Sequence, residues 1–149
     1  MGKQPTVPNE SLGFWIYRTY AQASNLLRRT FEAHGYHCTP EQWGVLTSLR
    51  DEQGINQAQL GERTFKDRHN ITRILGLLEK RGWIERQMNE RNRRAYRVFL
   101  TEAGKDVEEK LRVLVKRHRT AMFEGLKAED LEAMRKVFAH ILKNIEQQE

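Results

Sequence analysis

The chain has 149 residues, of which 31% are charged and 38% hydrophobic, and its formal net charge is +6. This length suffices for one domain whose hydrophobic core needs no disulfide or metal. No apolar stretch approaches the ~20 residues that span a membrane, and the N-terminal residues lack the apolar segment of a signal peptide. The single cysteine, Cys38, excludes an internal disulfide, so we expect a cytoplasmic protein with no membrane partner.

The positive charge is concentrated in the middle of the chain. Residues 63–97 contain 11 Lys and Arg residues against 4 Asp and Glu residues, whereas the rest of the chain contains 15 basic and 16 acidic residues. This distribution is typical of a localised binding site for a polyanion such as nucleic acid.

The first predicted element is a helix from Leu12 to about His34, which Gly35 ends. Apolar residues recur along it every three to four positions and aromatic residues widen the stripe, so the helix is expected to pack against more than one partner. A second helix begins after Thr39, which forms the pattern of a capping box with Gln42, and Pro40 suits its first position.

Two further helices follow at short intervals. Asn56 is the expected cap of the first, again with a glutamine, Gln59, three residues later, and Asp67 is the expected cap of the next. The apolar residues of that last helix share one face, and they are Ile71, Ile74, Leu75 and Leu78. Two short helices, a tight connection and a third amphipathic helix form a helix-turn-helix pattern.

A β-hairpin is predicted after Gly82, where the period of the apolar residues changes. Ile84 lies in a short extended segment, and the residues from Ala95 to Thr101 alternate as those of a strand do. The polar residues between them lack the Asn-Gly or Asp-Gly pair of a tight turn, which predicts a longer, mobile loop.

Two long amphipathic helices complete the chain. Thr101 is the expected cap of the first, which extends to about Glu124, and the second carries apolar residues from Leu131 to Ile145. The apolar faces of these helices and of the first helix are larger than the helix-turn-helix and hairpin between them could cover. They are therefore predicted to form a dimer interface.

The order of these elements and four motifs resemble the MarR family of bacterial winged helix-turn-helix transcription regulators. The motifs are TPEQWGVLTSL, INQAQLGERT, DRHNITRILGLLEKRGWIER and NRRAYRVFLTEAGK, and the resemblance extends from about Leu12 to Ile145. It implies a mainly α fold with a small β-hairpin wing, in a six-helix dimeric architecture. Residues 1–35 would be an N-terminal dimerisation helix, residues 36–101 the DNA-binding lobe, and residues 102–149 the C-terminal dimerisation helices.

The resemblance also implies a function. Family members usually bind a pseudo-palindromic operator in double-stranded DNA as homodimers, mostly as repressors, and many release it when a small anionic or phenolic acid binds. Alternatives are a regulator switched by cysteine oxidation or metal, and a protein-interaction scaffold of the same fold. The sequence contains no P-loop, nucleophile elbow or HExxH motif, so neither enzymatic activity nor a cofactor is expected.

Polar residues on the outer face of the third core helix are the predicted base-reading residues, since Arg pairs with guanine and Asn with adenine in the major groove. They are Arg68, His69, Asn70, Thr72 and Arg73. A solvated surface face is the alternative explanation, but the flanking turn and wing favour DNA. By resemblance, Thr47, Ser48 and Gln57–Gln59 are candidates for phosphate contacts.

Four arginines mark the predicted wing, and they are Arg91, Arg93, Arg94 and Arg97. By resemblance, Arg93 enters an A·T-rich minor groove, with Arg91 or Arg94 as close competitors. Arg97 and Arg86 are expected at phosphates. Asn92 stands where the family commonly has an aspartate that orients the neighbouring arginine, and Glu90 is a candidate substitute.

The resemblance also implies an effector pocket near the first helix. Its candidate residues are Trp15, Arg18, Tyr36 and His37, with Tyr17. Arg18 would anchor a carboxylate and Trp15 would stack on an aromatic ring. The competing interpretation is that the aromatic residues belong to the core and that Arg18 pairs with a nearby acid.

Cys38 precedes a capped helix, and a helix N-terminus can lower the pKa of a thiol, which would permit a redox switch. An inert, half-buried thiol is the favoured alternative. A metal site is not predicted. The residues whose side chains could supply ligands for one are His34, His37, Cys38, Glu41 and His118. Met122 stands four residues after His118, where a His-x-x-x-His pair would be expected.

Overall fold

The computed structural model describes residues 11–148, apart from the side chains of Asn89, Asn92, Arg93 and Arg94. The helices are α1 Leu12–Ala33, α2 Pro40–Asp51, α3 Gln57–Thr64, α4 Arg68–Lys80, α5 Glu102–Met122 and α6 Ala128–Glu146. The strands are β1 Ile55–Asn56, β2 Ile84–Asn89 and β3 Asn92–Leu100. The predicted mainly α fold with six helices and a small β-hairpin is confirmed. Within residues 11–148, no helix is both long and apolar enough to cross a membrane.

Side-chain caps fix where the two helices before α4 begin. Thr39 Oγ1 accepts a hydrogen bond from the Gln42 backbone N–H at 3.1 Å, and Gln42 Oε1 accepts one from the Thr39 N–H at 3.2 Å. Asn56 and Gln59 form the same reciprocal pair at 2.9 and 3.0 Å. Both predicted capping boxes are confirmed, and each satisfies backbone donors that the first helical turn leaves unpaired.

The sheet has three antiparallel strands in the order β1-β3-β2. Ile84 of β2 pairs with Leu100, and Ile55 of β1 pairs with Val98 on the other side of β3. Asn56 was predicted only as a helix cap, and β1 was not predicted, because a strand of two residues has no alternation to detect.

The expectation of a long loop at the hairpin tip is wrong. Strand pairing continues out to Asn89 and Asn92, so the turn consists of Glu90 and Arg91 alone. A register shift between Met88 and Asn89 lies just before the turn. Such an irregularity lets a sequence without Asn-Gly or Asp-Gly close a short hairpin.

The hydrophobic core lies beneath α4, where α2, α3, α5 and the base of the hairpin meet. Its most deeply buried side chains include Leu46, Leu60, Ile74, Leu78 and Leu111. The described chain divides after Lys116 into two compact units. The second unit carries α6, which buries none of its own residues and exposes large apolar side chains.

The start of α5 is fixed against the segment that follows α4. Thr101 Oγ1 accepts a hydrogen bond from the Gly104 N–H at 3.0 Å and donates one to the Gly82 carbonyl at 2.5 Å. A Cβ added to Gly104 would collide with the carbonyl group of Trp83. Only glycine therefore allows this close approach of the two backbones.

A buried glutamate links α5 to α2. Glu108 is fully buried, and its Oε1 accepts hydrogen bonds from Arg112 Nε at 2.9 Å and Nη2 at 2.5 Å. Arg50 at the end of α2 lies 3.5 Å from the other carboxylate oxygen. The predicted apolar stripe of α5 did not include Glu108, because a charged residue is rarely fully buried unless it is paired.

Candidate nucleic-acid interface

The side chain of Asp67 caps the first turn of α4. Asp67 accepts hydrogen bonds from both the backbone N–H and the side-chain amide of Asn70, each at 2.8 Å. These bonds, the backbone one first, lower the pKa of Asp67, which keeps the cap ionised. Ile71 and Ile74 on the opposite face are buried in the core.

The predicted base-reading residues lie together on the outer face of α4. Arg68, His69, Thr72 and Arg73 are exposed, and Asn70 is half-buried. Within the part of the chain that the structure describes, neither Arg68 nor Arg73 forms an ion pair. Both guanidinium groups therefore face solvent with their donors unused by acidic side chains.

Two of the polar residues already have partners within the lobe. Gln57 Nε2 donates to Thr72 Oγ1 at 2.6 Å, and Thr72 Oγ1 donates to the Arg68 carbonyl at 2.7 Å. These bonds engage the single hydroxyl proton of Thr72 and tie the start of α3 to α4. Asn70 uses one amide proton on Asp67 and retains a second proton and its carbonyl oxygen, the pair of groups that reads adenine.

Three cations within residues 63–86 form ion pairs with acidic side chains. Arg86, for which the sequence predicts a phosphate contact, lies 3.3 Å from Glu79 and holds the hairpin to α4. Lys66 lies 3.5 Å from Glu41, and Arg63 forms an ion pair with Glu52. The cations left to meet a polyanion are therefore concentrated on α4 and the hairpin.

The hairpin presents arginines beside that face. Arg97 is exposed in the middle of β3, where it pairs in register with Gln87 of β2 and Asn56 of β1. Arg91 is exposed in the turn. The side chains of Arg93 and Arg94 lie outside the described residues, so the assignment of a minor-groove arginine stays a prediction.

Comparisons with known proteins agree with this geometry. The sequence profile of the MarR family matches residues 38–95, which span α2 to the middle of β3. Over these residues the chain is similar to the MarR family. Among solved structures, PcaV, a transcriptional regulator from Streptomyces coelicolor crystallised with its natural ligand, is 25% identical with a TM-score of 0.82, over 94% of this chain and 98% of PcaV.

Two further comparisons concern a structure solved with DNA and a sequence relative. The transcriptional repressor CouR, solved on a 23-mer DNA duplex, shares the fold with a TM-score of 0.83 at 24% identity, over 95% of this chain and 99% of CouR. SarZ of Staphylococcus epidermidis is 38% identical over 64 residues, which are 43% of each chain. The alignment thus spans less than half the length of SarZ.

The residues predicted to hold an effector lie at two ends of one helix. The Arg18 guanidinium carbon lies 5.5 Å from the ring centroid of Trp15, which is 51% exposed. Tyr36 and His37 follow the other end of α1, at Ala33, which lies fifteen positions beyond Arg18, or about 22 Å along the helix axis. Within a single chain, therefore, these four residues do not surround one small ligand.

Cys38 is buried rather than half-buried, with only 2% of its surface exposed. Burial raises the pKa of its thiol to about 12, and the positive charge of Arg81 offsets this only in part. A thiolate is the reactive form of cysteine, so the geometry disfavours an oxidation switch at this residue. Among the described residues, no three His, Cys, Asp or Glu side chains are placed to hold a metal ion.

Proposed function

We propose that this chain is a MarR-family transcriptional regulator that binds double-stranded DNA in a sequence-specific manner. In this proposal α4 lies in the major groove and the β2–β3 hairpin contacts the adjacent minor groove and backbone. The observation that carries it is the outer face of α4. There Arg68 and Arg73 are exposed and form no ion pair with the described residues, while three other cations between residues 63 and 86 pair with acidic side chains.

The protein acts as a homodimer in this proposal. On α1, Leu12, Trp15 and Ile16 are between 44% and 83% exposed, and on α6, Val137 and Phe138 are 56% and 42% exposed. Apolar stripes of this extent on two long helices are typical of a surface that a second chain covers. A two-fold dimer would set the two α4 helices in successive major grooves about 34 Å apart, on a pseudo-palindromic operator.

Repression and ligand release extend the proposal. A DNA-bound repressor near a promoter blocks transcription, and a small anionic or phenolic acid that favours another arrangement of the dimer would release it. The stacked Arg18 and Trp15 offer a cation beside an exposed aromatic face, which suits an aromatic carboxylate. Because Tyr36 lies a helix length away, such a pocket would combine residues of both protomers.

Selection of bound duplexes from a random pool tests the proposed function. We expect an enriched sequence with two inverted half-sites, and an affinity that falls steeply with salt because phosphate contacts release counterions. Recovery of no duplex, or an affinity that ignores salt, would leave the fold as a protein-interaction scaffold instead.

The release step has its own measurement. Salicylate-like acids should dissociate the selected duplex, and Arg18→Ala should raise the concentration required. Arg28→Ala is the matched control, because Arg28 lies on the same helix but pairs with Glu32 at 2.8 Å. Equal responses of the two variants would remove Arg18 from the effector site.

A further inference from the structure

Phe65, in the turn between α3 and α4, is unusual both in its solvent exposure and in its backbone conformation. Its side chain is 91% exposed, the largest exposure among the big apolar residues of the described chain. Its backbone is left-handed, with φ 53° and ψ 41°, and within residues 11–148 no other non-glycine residue has a positive φ. Bulky residues avoid this conformation because their Cβ crowds the backbone.

The turn itself does not need the Phe65 ring. The Phe65 N–H donates to the Glu62 carbonyl at 3.3 Å, and the Lys66 N–H donates to the Gly61 carbonyl at 2.9 Å. These two bonds form a Schellman motif, in which glycine normally occupies the left-handed position. The motif is made by backbone groups alone, so phenylalanine adds strain to the turn and gains no burial from it.

The ring borders the same groove as the start of the DNA-reading helix. This open groove, of about 800 Å³, lies between α3, the N-terminal turn of α4 and β3. Its lining includes Phe65, Lys66, Arg68 and, on β3, Tyr96, with the acids Glu62 and Asp67 also present. The ring therefore stands three residues before Arg68, on the side of the lobe that carries the exposed cations.

We propose that Phe65 is a DNA-contacting residue whose ring packs against an apolar part of the duplex beside the α4 half-site. The apolar groups that a duplex offers there are the deoxyribose and the 5-methyl group of thymine. Burying an aromatic ring that is otherwise in water stabilises a complex, and strain kept at a surface turn without any packing gain points to function. This inference rests on the proposed DNA-binding function.

The test measures stability and DNA affinity on the same variants. Phe65→Gly and Phe65→Asn accept the left-handed conformation, so each should raise the melting temperature by about 1–4 °C. Each should nevertheless weaken binding to the selected duplex by about fivefold or more. Phe65→Met keeps an apolar side chain and the strain, and should stay within about threefold of wild-type affinity.

Opposite changes in stability and affinity separate a DNA contact from a structural role. If Phe65→Gly is stabilised and binds the selected duplex as tightly as the wild type, the inference is overturned while the proposed function stands. If the wild type selects no duplex at all, the proposed function fails, and this inference fails with it.

Uracil substitution then identifies the apolar group. Replacing thymine by uracil removes only the 5-methyl group. A thymine whose replacement weakens the wild type but not Phe65→Gly locates the ring at that methyl group. Loss of affinity in Phe65→Gly without any uracil effect locates it at deoxyribose. Either result supports the contact.

Discussion

The buried ion-pair cluster around Glu108 predicts an asymmetry between its members. The carboxylate is fully buried, whereas the side chains of Arg50 and Arg112 are 37% and 50% exposed. Removing Glu108 leaves two guanidinium groups that water already reaches. Removing Arg112 leaves a buried carboxylate whose remaining cation, on Arg50, is 3.5 Å away.

The magnitudes follow from this geometry. Arg112→Met removes two charge-assisted hydrogen bonds to a buried charge, and we expect a loss of about 3 kcal/mol in the free energy of unfolding. Glu108→Leu replaces the buried charge by an apolar group of similar size and should stay within about 1 kcal/mol of the wild type. For a protein of this size, 1 kcal/mol corresponds to about 2–4 °C in melting temperature.

Thermal and urea unfolding at one fixed protein concentration measure the asymmetry. The double variant Glu108→Leu/Arg112→Met should recover most of the stability that Arg112→Met loses, because no buried charge remains. Arg135→Met is the matched control, since Arg135 pairs with Glu132 on the surface of α6, and it should not measurably change the melting temperature. A Glu108→Leu protein that is destabilised as much as Arg112→Met would show that the loss of stability does not come from an unpaired buried charge.

Three other predictions concern single residues. Arg93→Ala should weaken binding to the selected duplex about tenfold and leave the dimer intact in size-exclusion chromatography, and an unchanged affinity would end its wing role. Iodoacetamide should label Cys38 at pH 8 far more slowly in the native protein than in urea, since burial raises its thiol pKa to about 12, and equal rates would contradict its burial. Gly104→Ala should lower the free energy of unfolding by about 2–3 kcal/mol because its Cβ meets a backbone carbonyl. The matched control, Gly76→Ala, has open space around its Cβ and should stabilise its helix by about 0.5–1 kcal/mol; equal effects would contradict the close approach.

Local signals explain which parts of the fold were predictable. The capping boxes at Thr39 and Asn56 need only residues three positions apart, so the sequence contains the whole interaction. The inward face of α4 follows from its helical period in the same way. β1 was missed because its pairing with Val98 joins residues that are far apart in the sequence. The tight hairpin turn was missed because an irregular register precedes the Asn89–Asn92 pair, and no short sequence pattern marks it.

Only part of the candidate site could be predicted, because local patterns indicate which side chains are exposed but not which of them form ion pairs. Exposure of Arg68 and Arg73 follows from the helical period, but the availability of a cation depends on acids that the fold brings near. Arg86 pairs with Glu79 across two elements, and nothing in the local sequence marks that pair. Phe65 was overlooked because a left-handed turn residue is recognised in sequence by glycine, and here phenylalanine stands in its place.

Arg73→Ala, measured on matched duplexes, tests whether α4 reads DNA sequence. Fluorescence anisotropy titrations would use the selected duplex and a scrambled one of equal length, at the same salt concentration. Lys80→Ala is the control, because Lys80 carries the same charge about 10 Å further along the helix, at its other end. We predict that Arg73→Ala loses about 1–3 kcal/mol of binding free energy on the selected duplex and little on the scrambled one. Equal losses on both duplexes would contradict base reading by α4.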